Sequence, residues 1–517
     1  MIGPVELELF THRFEAIARE MGEMLQRTAV STNIRERLDF SCAVLDADGR
    51  LVANAPHIPV HLGALGLCVR KLMAGGFADD GLRPGDAIVT NHPAWGGSHL
   101  PDVTVVSPVF AADERIGFVA NRAHHAEIGG SRPGSMPPDA RCLAEEGVVL
   151  EPFALVRDGI SRWPELRRRM TSGPFPTRSY TENVADLHAA LAANGRGAAV
   201  LAGLAAIHGN PVIRAAMTAL ASRSGTLVER ALASRPAGRY EALHRLDDGA
   251  PIRVAVDLEG GRARIDFTGT GPVHRGNLNA PPAVVQSAVL YVLRLLVDEP
   301  LPLNEGLMKP VRLIVPEGML NPPFPADPLA APAVVGGNVE TSQRVVDTLI
   351  EALSLAAGSQ GTMNNVLFGN ERFGYYETVG GGAGAGPGFA GADAVHSHMT
   401  NTRITDPEIL EHRYPVRLER FAVRRGSGGA GRFRGGDGIV REMTFLQPVE
   451  LSLLSQRRSE GPAGAAGGGP GSPGRQRLRR ADGSGEDLPG IAGRSVMPGD
   501  RLVLETPGGG GWGGENE

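Results

Sequence analysis

Glycine sets the first limit on what this chain can become. It supplies 70 of 517 residues, nearly twice the roughly 7% usual in globular proteins. Many of these glycines are clustered, in "GGGAGAG" (380–386), "GPAGAAGGGPGSPG" (461–474) and "TPGGGGWG" (506–513). A residue without Cβ weakens helix and strand interiors and favours turns, so the clusters predict tightly turned backbone. The stretch 358–394 reads as turns carrying exposed polar residues, "GGGAGAG" as a flexible turn, and "GPAGAAGGGPGSPGRQ" (461–476) as a mobile loop. No buried strand precedes "GGGAGAG", and neither G-x-x-x-x-G-K-[ST] nor G-x-S-x-G occurs, so no phosphate-cradling loop or nucleophile elbow stands out.

Between the clusters, hydrophobic periodicity is ordinary. Phe10, Phe14, Ile17, Met21 and Met24 fall at helical spacing, predicting a helix from about Pro4 to Ser31. "DFSCAVLDADGRLVANA" alternates about an Asp-Ala-Asp-Gly turn and predicts a hairpin. "HLGALGLCVRKLMAGG" reads as a helix closed by glycine. "PGDAIVTNHP", "DVTVVSPVF" and "ERIGFVANRA" follow as strands. Residues 181–234 are helical and Ala-rich. Paired strands follow from 238, with buried helices in "PPAVVQSAVLYVLRLLVD" and "ETSQRVVDTLIEALSLAAG". The chain turns β-rich after Arg420. The reading is a mixed α/β (α+β), multi-domain protein: an N-terminal α/β region (1–180), a helical and strand middle (181–410), and a β-rich, Gly/Pro-rich C-terminal region (411–517).

Composition excludes several classes. Net charge is −5, without a long basic or acidic run, so nothing calls for nucleic acid or an anionic membrane. No uninterrupted apolar stretch of about 18 residues and no signal-peptide pattern appear, which predicts no membrane span and a cytoplasmic protein. The three cysteines are scattered, which argues against thiolate metal sites. Lysine occurs only at Lys71 and Lys309.

The histidines are uneven. Six of fourteen, His57, His61, His92, His99, His124 and His125, lie between positions 57 and 125, where an even spread places about two. His99 and Asp102 precede one strand in "GGSHLPDVTVV", His124 and His125 end another, and Asp39 starts the hairpin. Sheets gather strand ends, so these groups can converge. Two imidazoles with two carboxylates suit Zn²⁺, Mn²⁺, Fe²⁺ or Co²⁺, and such an ion can lower the pKa of a water. His57, His61 and His92 read as structural. His125 and Glu127 are candidate proton carriers. Arg35, Arg37 and Arg132 are candidates to hold a substrate carboxylate.

The motifs "STNIRERLDFSCAVLD", "NHPAWGGSHLPDVTVVSPVF", "AHHAEIGGSRPGSMPP", "GGNVETSQRVVDTLIEAL", "GTMNNVLFGN" and "HSHMTNTRITDPEILEHRYPVRL" resemble the hydantoinase B/5-oxoprolinase family, nearly end to end. The resemblance implies an ATP-dependent amidohydrolase of cyclic amides. A hydantoinase A-type subunit or domain uses ATP to phosphorylate the substrate, and the B part acts at a metal site. Oxoproline is the foremost substrate, with N-methylhydantoin or an acetone-carboxylase-like reaction as alternatives. Carried over by motif, the ion falls on Asp39, His99, Asp102 and His124, with Glu36 as a fallback for Asp39. No A-type ATP-binding pattern is visible, so the resemblance implies a hetero-oligomer.

Overall fold

A computed structural model describes residues 2–55, 58–77 and 81–514. A seven-stranded antiparallel sheet organises the first third. Its strands are β1 (Phe40–Asp46), β2 (Leu51–Asn54), β3 (Ala87–Thr90), β4 (Asp102–Ala111), β5 (Glu114–His124), β6 (Phe153–Arg157) and β7 (Ile160–Ser161), in the order 2-1-5-4-3-6-7. The expected hairpin is β1 and β2. Its turn is closed by Asp46 Oδ1, which accepts from the N–H groups of Asp48 (3.0 Å) and Arg50 (2.8 Å).

The period of two sorts side chains between the faces of this sheet. Ala43, Leu45, Val106, Phe118 and Ala120 meet Leu65, Val69 and Leu72 of helix Pro59–Ala74. Cys42, Val44, Val105 and Val119 share the opposite face with Phe10, Phe14, Ile17 and Met21 of the N-terminal helix Pro4–Thr28. Helix Tyr180–His208 lies on that second face. At 29 residues it is the one described helix long and apolar enough to cross a membrane, although its sequence did not read as a span. Polar contacts seat it here: Asn121 Nδ2 donates to Asn194 Oδ1 (2.7 Å), and Asp186 Oδ1 accepts from Val30 N–H (2.9 Å).

Helix Asn210–Ala233 leads to a second sheet of β8 (Gly238–Arg245), β9 (Pro251–Glu259), β10 (Arg262–Asp266) and β11 (Val311–Ile314), ordered 11-10-9-8. Helices Pro282–Leu295 and Ser342–Ala352 follow the expected buried segments. A single π turn, Gly337–Thr341, leads into the second of them.

Two further sheets share a separate core that includes Val366, Phe368, Phe445 and Leu451. The strands are β12 (Asn365–Asn370), β13 (Phe373–Glu377), β14 (Val416–Arg424), β15 (Gly438–Phe445), β16 (Val449–Leu454), β17 (Arg475–Arg479), β18 (Gly485–Leu488), β19 (Ile491–Val496) and β20 (Arg501–Glu505), ordered 13-12-16-19 and 14-15-20-17-18. Residues 365–377 therefore pair with 449–496, and this sheet runs across the boundary expected near 410.

The glycine clusters overturn the reading of exposed turns and a mobile loop. Successive residues of 509–511 bond to different neighbours: Gly509 N–H to Gly436 O (2.9 Å), Gly510 N–H to Gly358 O (2.8 Å) and Gly511 N–H to Gly469 O (2.9 Å). Gly382 N–H reaches Pro507 O and Ala385 N–H reaches Gly510 O, both at 2.9 Å. These segments pack side by side as a bundle of glycine-rich backbone, hydrogen-bonded from one segment to the next. A Cβ on Gly509 would lie 1.9 Å from Ala383 O, so close backbone packing, and not flexibility, requires glycine there.

Candidate metal centre

The register of the first sheet assembles the site. β5 lies between β1 and β4, and Asp102 pairs directly with His124. Asp39 stands one residue before β1, and its carbonyl accepts from His124 N–H (3.0 Å). Asp39, His124 and Asp102 are thus neighbours across three strand ends, on the face covered by helix Pro59–Ala74. His99, three residues before Asp102, closes the turn into β4.

One ligand atom each from His99, Asp102 and His124 lies within 4.8 Å of the others, and all three residues are buried. Asp39 lines the same cavity but stands outside that spacing. His124 Nε2, both ring nitrogens of His99 and Asp102 Oδ1 are buried without a hydrogen-bond partner. Unpaired buried polar atoms are rare in native folds, and four of them gathered around one space fit a bound cation. The cavity they share is about 10 Å³, the room of one water-sized body. Two imidazoles and a carboxylate suit a borderline divalent ion.

Neighbours fix these donors. Ser98 Oγ donates to Asp102 Oδ2 (2.6 Å), and His61 Nε2 and His99 Nε2 lie 3.2 and 3.3 Å from the same oxygen. Burial would raise the Asp102 carboxyl, but His99 and His61 hold it well below the usual carboxylate range. Burial, with His99 adding to it, pushes His124 well below the ordinary imidazole value, so the ring stays neutral and able to donate a lone pair. Burial raises Asp39 against the pull of Arg37. His124 Nδ1 lies 2.8 Å from the Asn33 side-chain amide. With Nε2 as the donor to an ion, Nδ1 carries the proton and Asn33 presents its oxygen. The Tyr376 ring stacks on His124 (4.7 Å), with the Arg37 guanidinium 4.6 Å from the Tyr376 centroid.

Other expected residues lie elsewhere. His125, one residue on, points to the opposite face, where its Nδ1 lies 3.1 Å from Asn183 Nδ2. Glu127 is a buried framework carboxylate. It accepts from Gly129 N–H (2.6 Å), Gly134 N–H (3.0 Å) and Arg178 (3.0 Å). Arg132 pairs with Asp139 and Glu450. Arg35 is exposed beside Glu36, and neither lines the cavity. Arg37 is buried behind the cavity wall, where it donates to Tyr376 O (2.8 Å), Thr378 (3.2 Å) and Thr402 (3.3 Å). His92 pairs with Glu151 at a separate surface, and His57 lies outside the described residues.

Over residues 3–515 the sequence matches the Hydantoinase B/oxoprolinase family. The chain belongs to that family. It is 45% identical to 5-oxoprolinase 1 of Arabidopsis thaliana, over 98% of this chain and 42% of the plant protein. It is 43% identical to the 5-oxoprolinase of Saccharomyces cerevisiae, over 99% of this chain and 42% of the yeast protein. The crystal structure of an ATP-dependent caprolactamase from Pseudomonas jessenii superposes with a TM-score of 0.88 at 27% identity, covering 99% of this chain and 92% of that one. The chain thus spans about two-fifths of the plant and yeast relatives, where the matching region belongs to one longer chain. The family therefore does not require the separate partner subunit that the resemblance implied.

Sequence reasoning missed four members of this site. His61, read as structural, reaches Asp102. Asn33 and Asn338 lie inside the motifs "STNIRERLDFSCAVLD" and "GGNVETSQRVVDTLIEAL" without a role having been read for them, Tyr376 lies in none of the quoted motifs, and Asn338 and Tyr376 lie more than two hundred residues from the donors.

Proposed function

We propose that this chain is the hydrolytic part of an ATP-dependent cyclic-amide hydrolase. The observation that carries the reading is the buried, unpartnered donor set of His99, Asp102 and His124, in a family whose relatives include a 5-oxoprolinase. The favoured substrate is 5-oxoproline: with ATP and water it gives glutamate, ADP and phosphate. The ATP-using part lies outside this chain's residues, as another subunit or as the rest of a longer protein.

Amide resonance makes a lactam carbonyl a poor electrophile, and phosphorylating its oxygen turns it into an activated imidate. A divalent ion bound at the centre would supply Lewis acidity and acidify a water. His99, Asp102 and His124 would hold it, with Asp39 within reach of the same space. Ser98 and His61 aim the Asp102 carboxylate, and Asn33 sets the His124 tautomer. Ile58, Val60, Met363 and Met399 give the cavity an apolar part of its lining, which strengthens the electrostatic interactions beside it.

The test joins this chain to its ATP-using part and measures phosphate and amino acid together. Added 5-oxoproline should start ATP turnover and yield one glutamate per phosphate. ATP hydrolysis indifferent to every cyclic amide tried would refute the reading.

A further inference from the structure

The π turn Gly337–Thr341 carries a residue that the donor set does not explain. Single π turns recur at functional sites, and this one is clamped in place. A Cβ on Gly337 would lie 1.8 Å from Asn279 O, so the turn sits directly on that backbone. Thr341 Oγ1 donates to Leu278 O (2.7 Å). Glu340 faces away from the cavity and accepts from Met363 N–H (3.0 Å) and Asn365 Nδ2 (2.7 Å). Asn338 faces the cavity wall.

The backbone of Asn338 is satisfied. Its N–H donates to Val334 O (3.2 Å), and its carbonyl accepts from Ser342 Oγ (2.5 Å). Its side chain is 3% exposed, and Oδ1 is buried without a partner. Neighbouring polar groups of the wall are committed: Tyr376 OH to Asn365, Thr378 to Arg37 and Thr402, and His61 to Asp102. No Arg or Lys lines the cavity among the described residues. The cavity therefore offers the reacting amide one side-chain amide whose Oδ1 is uncommitted. Asn338 lines the same cavity as His99, Asp102 and His124. Met363 and Met399, both in the wall, are side chains that yield readily.

We propose that Asn338 hydrogen-bonds the ring nitrogen of the scissile amide and so selects substrates unsubstituted at that nitrogen. This rests on the cyclic-amide reading above. The group suits both states of that nitrogen: Oδ1 accepts from an N–H, and Nδ2 donates to the bare nitrogen of an imidate. An N-methyl group blocks both. A site built to hydrogen-bond a substrate N–H rejects analogues lacking it strongly, because its own buried polar group is then left unpaired.

The test uses the complete ATP-dependent enzyme with 5-oxoproline and N-methyl-5-oxoproline as probes, comparing wild type with Asn338→Leu and Asn338→Ala. Wild type should prefer the N–H substrate by roughly 100-fold or more in kcat/KM. Both variants should lose most of that rate with 5-oxoproline and change little with the N-methyl compound, so the preference shrinks to within about tenfold. Bound metal by elemental analysis and melting temperature should stay near wild type. Equal losses on both substrates, loss of the ion, or a wild-type enzyme indifferent to N-methylation would each overturn the assignment. A wild-type enzyme that opens neither ring would instead bring down the cyclic-amide reading, and this inference with it. The Ala variant guards against overpacking by Leu.

Discussion

Asp102→Asn separates ion holding from folding, because the two oxygens of Asp102 have different roles. Oδ2 takes Ser98 Oγ at 2.6 Å and lies 3.2 and 3.3 Å from His61 and His99, while Oδ1 is buried and unpartnered. An asparagine that places Oδ1 at the old Oδ2 position keeps all three contacts. Its Nδ2 then replaces the free oxygen and has no lone pair to offer an ion. Losing one charged donor of three should weaken ion binding by at least about 100-fold, or ~2.7 kcal/mol at 1.36 kcal/mol per tenfold. The fold loses charge assistance on the contacts, about 1 kcal/mol each, partly offset because a carboxylate no longer has to be desolvated. The net is about 1–3 kcal/mol, a melting drop of a few degrees in a chain of this length. Asp102 sits below its ordinary value of 3.8. Its stabilisation is therefore present above that pH and lost as pH falls further. The melting difference between wild type and variant should hold steady from pH 6 to 8 and narrow under strong acid. In the complete enzyme the variant should still consume ATP slowly yet release little glutamate. The assays are elemental analysis, thermal melts, and the ratio of phosphate to amino acid. Full ion occupancy, or an unchanged ratio in a well-folded enzyme, would refute the reasoning.

Three other outcomes follow from the same geometry. Asn33→Ala removes the partner that sets the His124 tautomer and should weaken ion binding by about 10–100-fold without unfolding the chain, as read by metal titration. Gly509→Ala drives a methyl to 1.9 Å from Ala383 O, and should destabilise by about 3 kcal/mol or more, visible as a lowered denaturation midpoint or insoluble protein. Glu146 is buried, accepts from Val334 and Val335 N–H (2.9 and 2.8 Å), and is pushed by desolvation from 4.5 up to about 8. Ionisation then favours the unfolded chain as pH rises from about 4.5 to 8, so Glu146→Gln should gain stability relative to wild type across that window; a melting difference constant from pH 5 to pH 8 would contradict this.

The donors were legible because strand periodicity is local. Once "DVTVVSPVF" and "ERIGFVANRA" are neighbouring antiparallel strands, the "H-x-x-D" before one and the histidine ending the other must meet. The same period explains why His124 faces the cavity while its neighbour His125 faces the opposite side of the sheet. What stayed hidden was non-local. His61 belongs to the site only because helix Pro59–Ala74 covers that face, and Asn338 and Tyr376 arrive from the other half of the chain. The glycines misled for a related reason. A missing Cβ permits either freedom or close approach, and only the partner segments decide which. Here segments up to about 150 residues apart decide for close approach. Gly381 N–H bonds to Val395 O and Val379 N–H to Met363 O, at 2.9 and 3.0 Å. Tyr376 and Thr378 run directly into the bundle, and Met399 follows soon after Val395. The glycine-rich packing that read as loose loop thus anchors the wall facing His124, and rigidity at the centre depends on residues chosen for having no side chain.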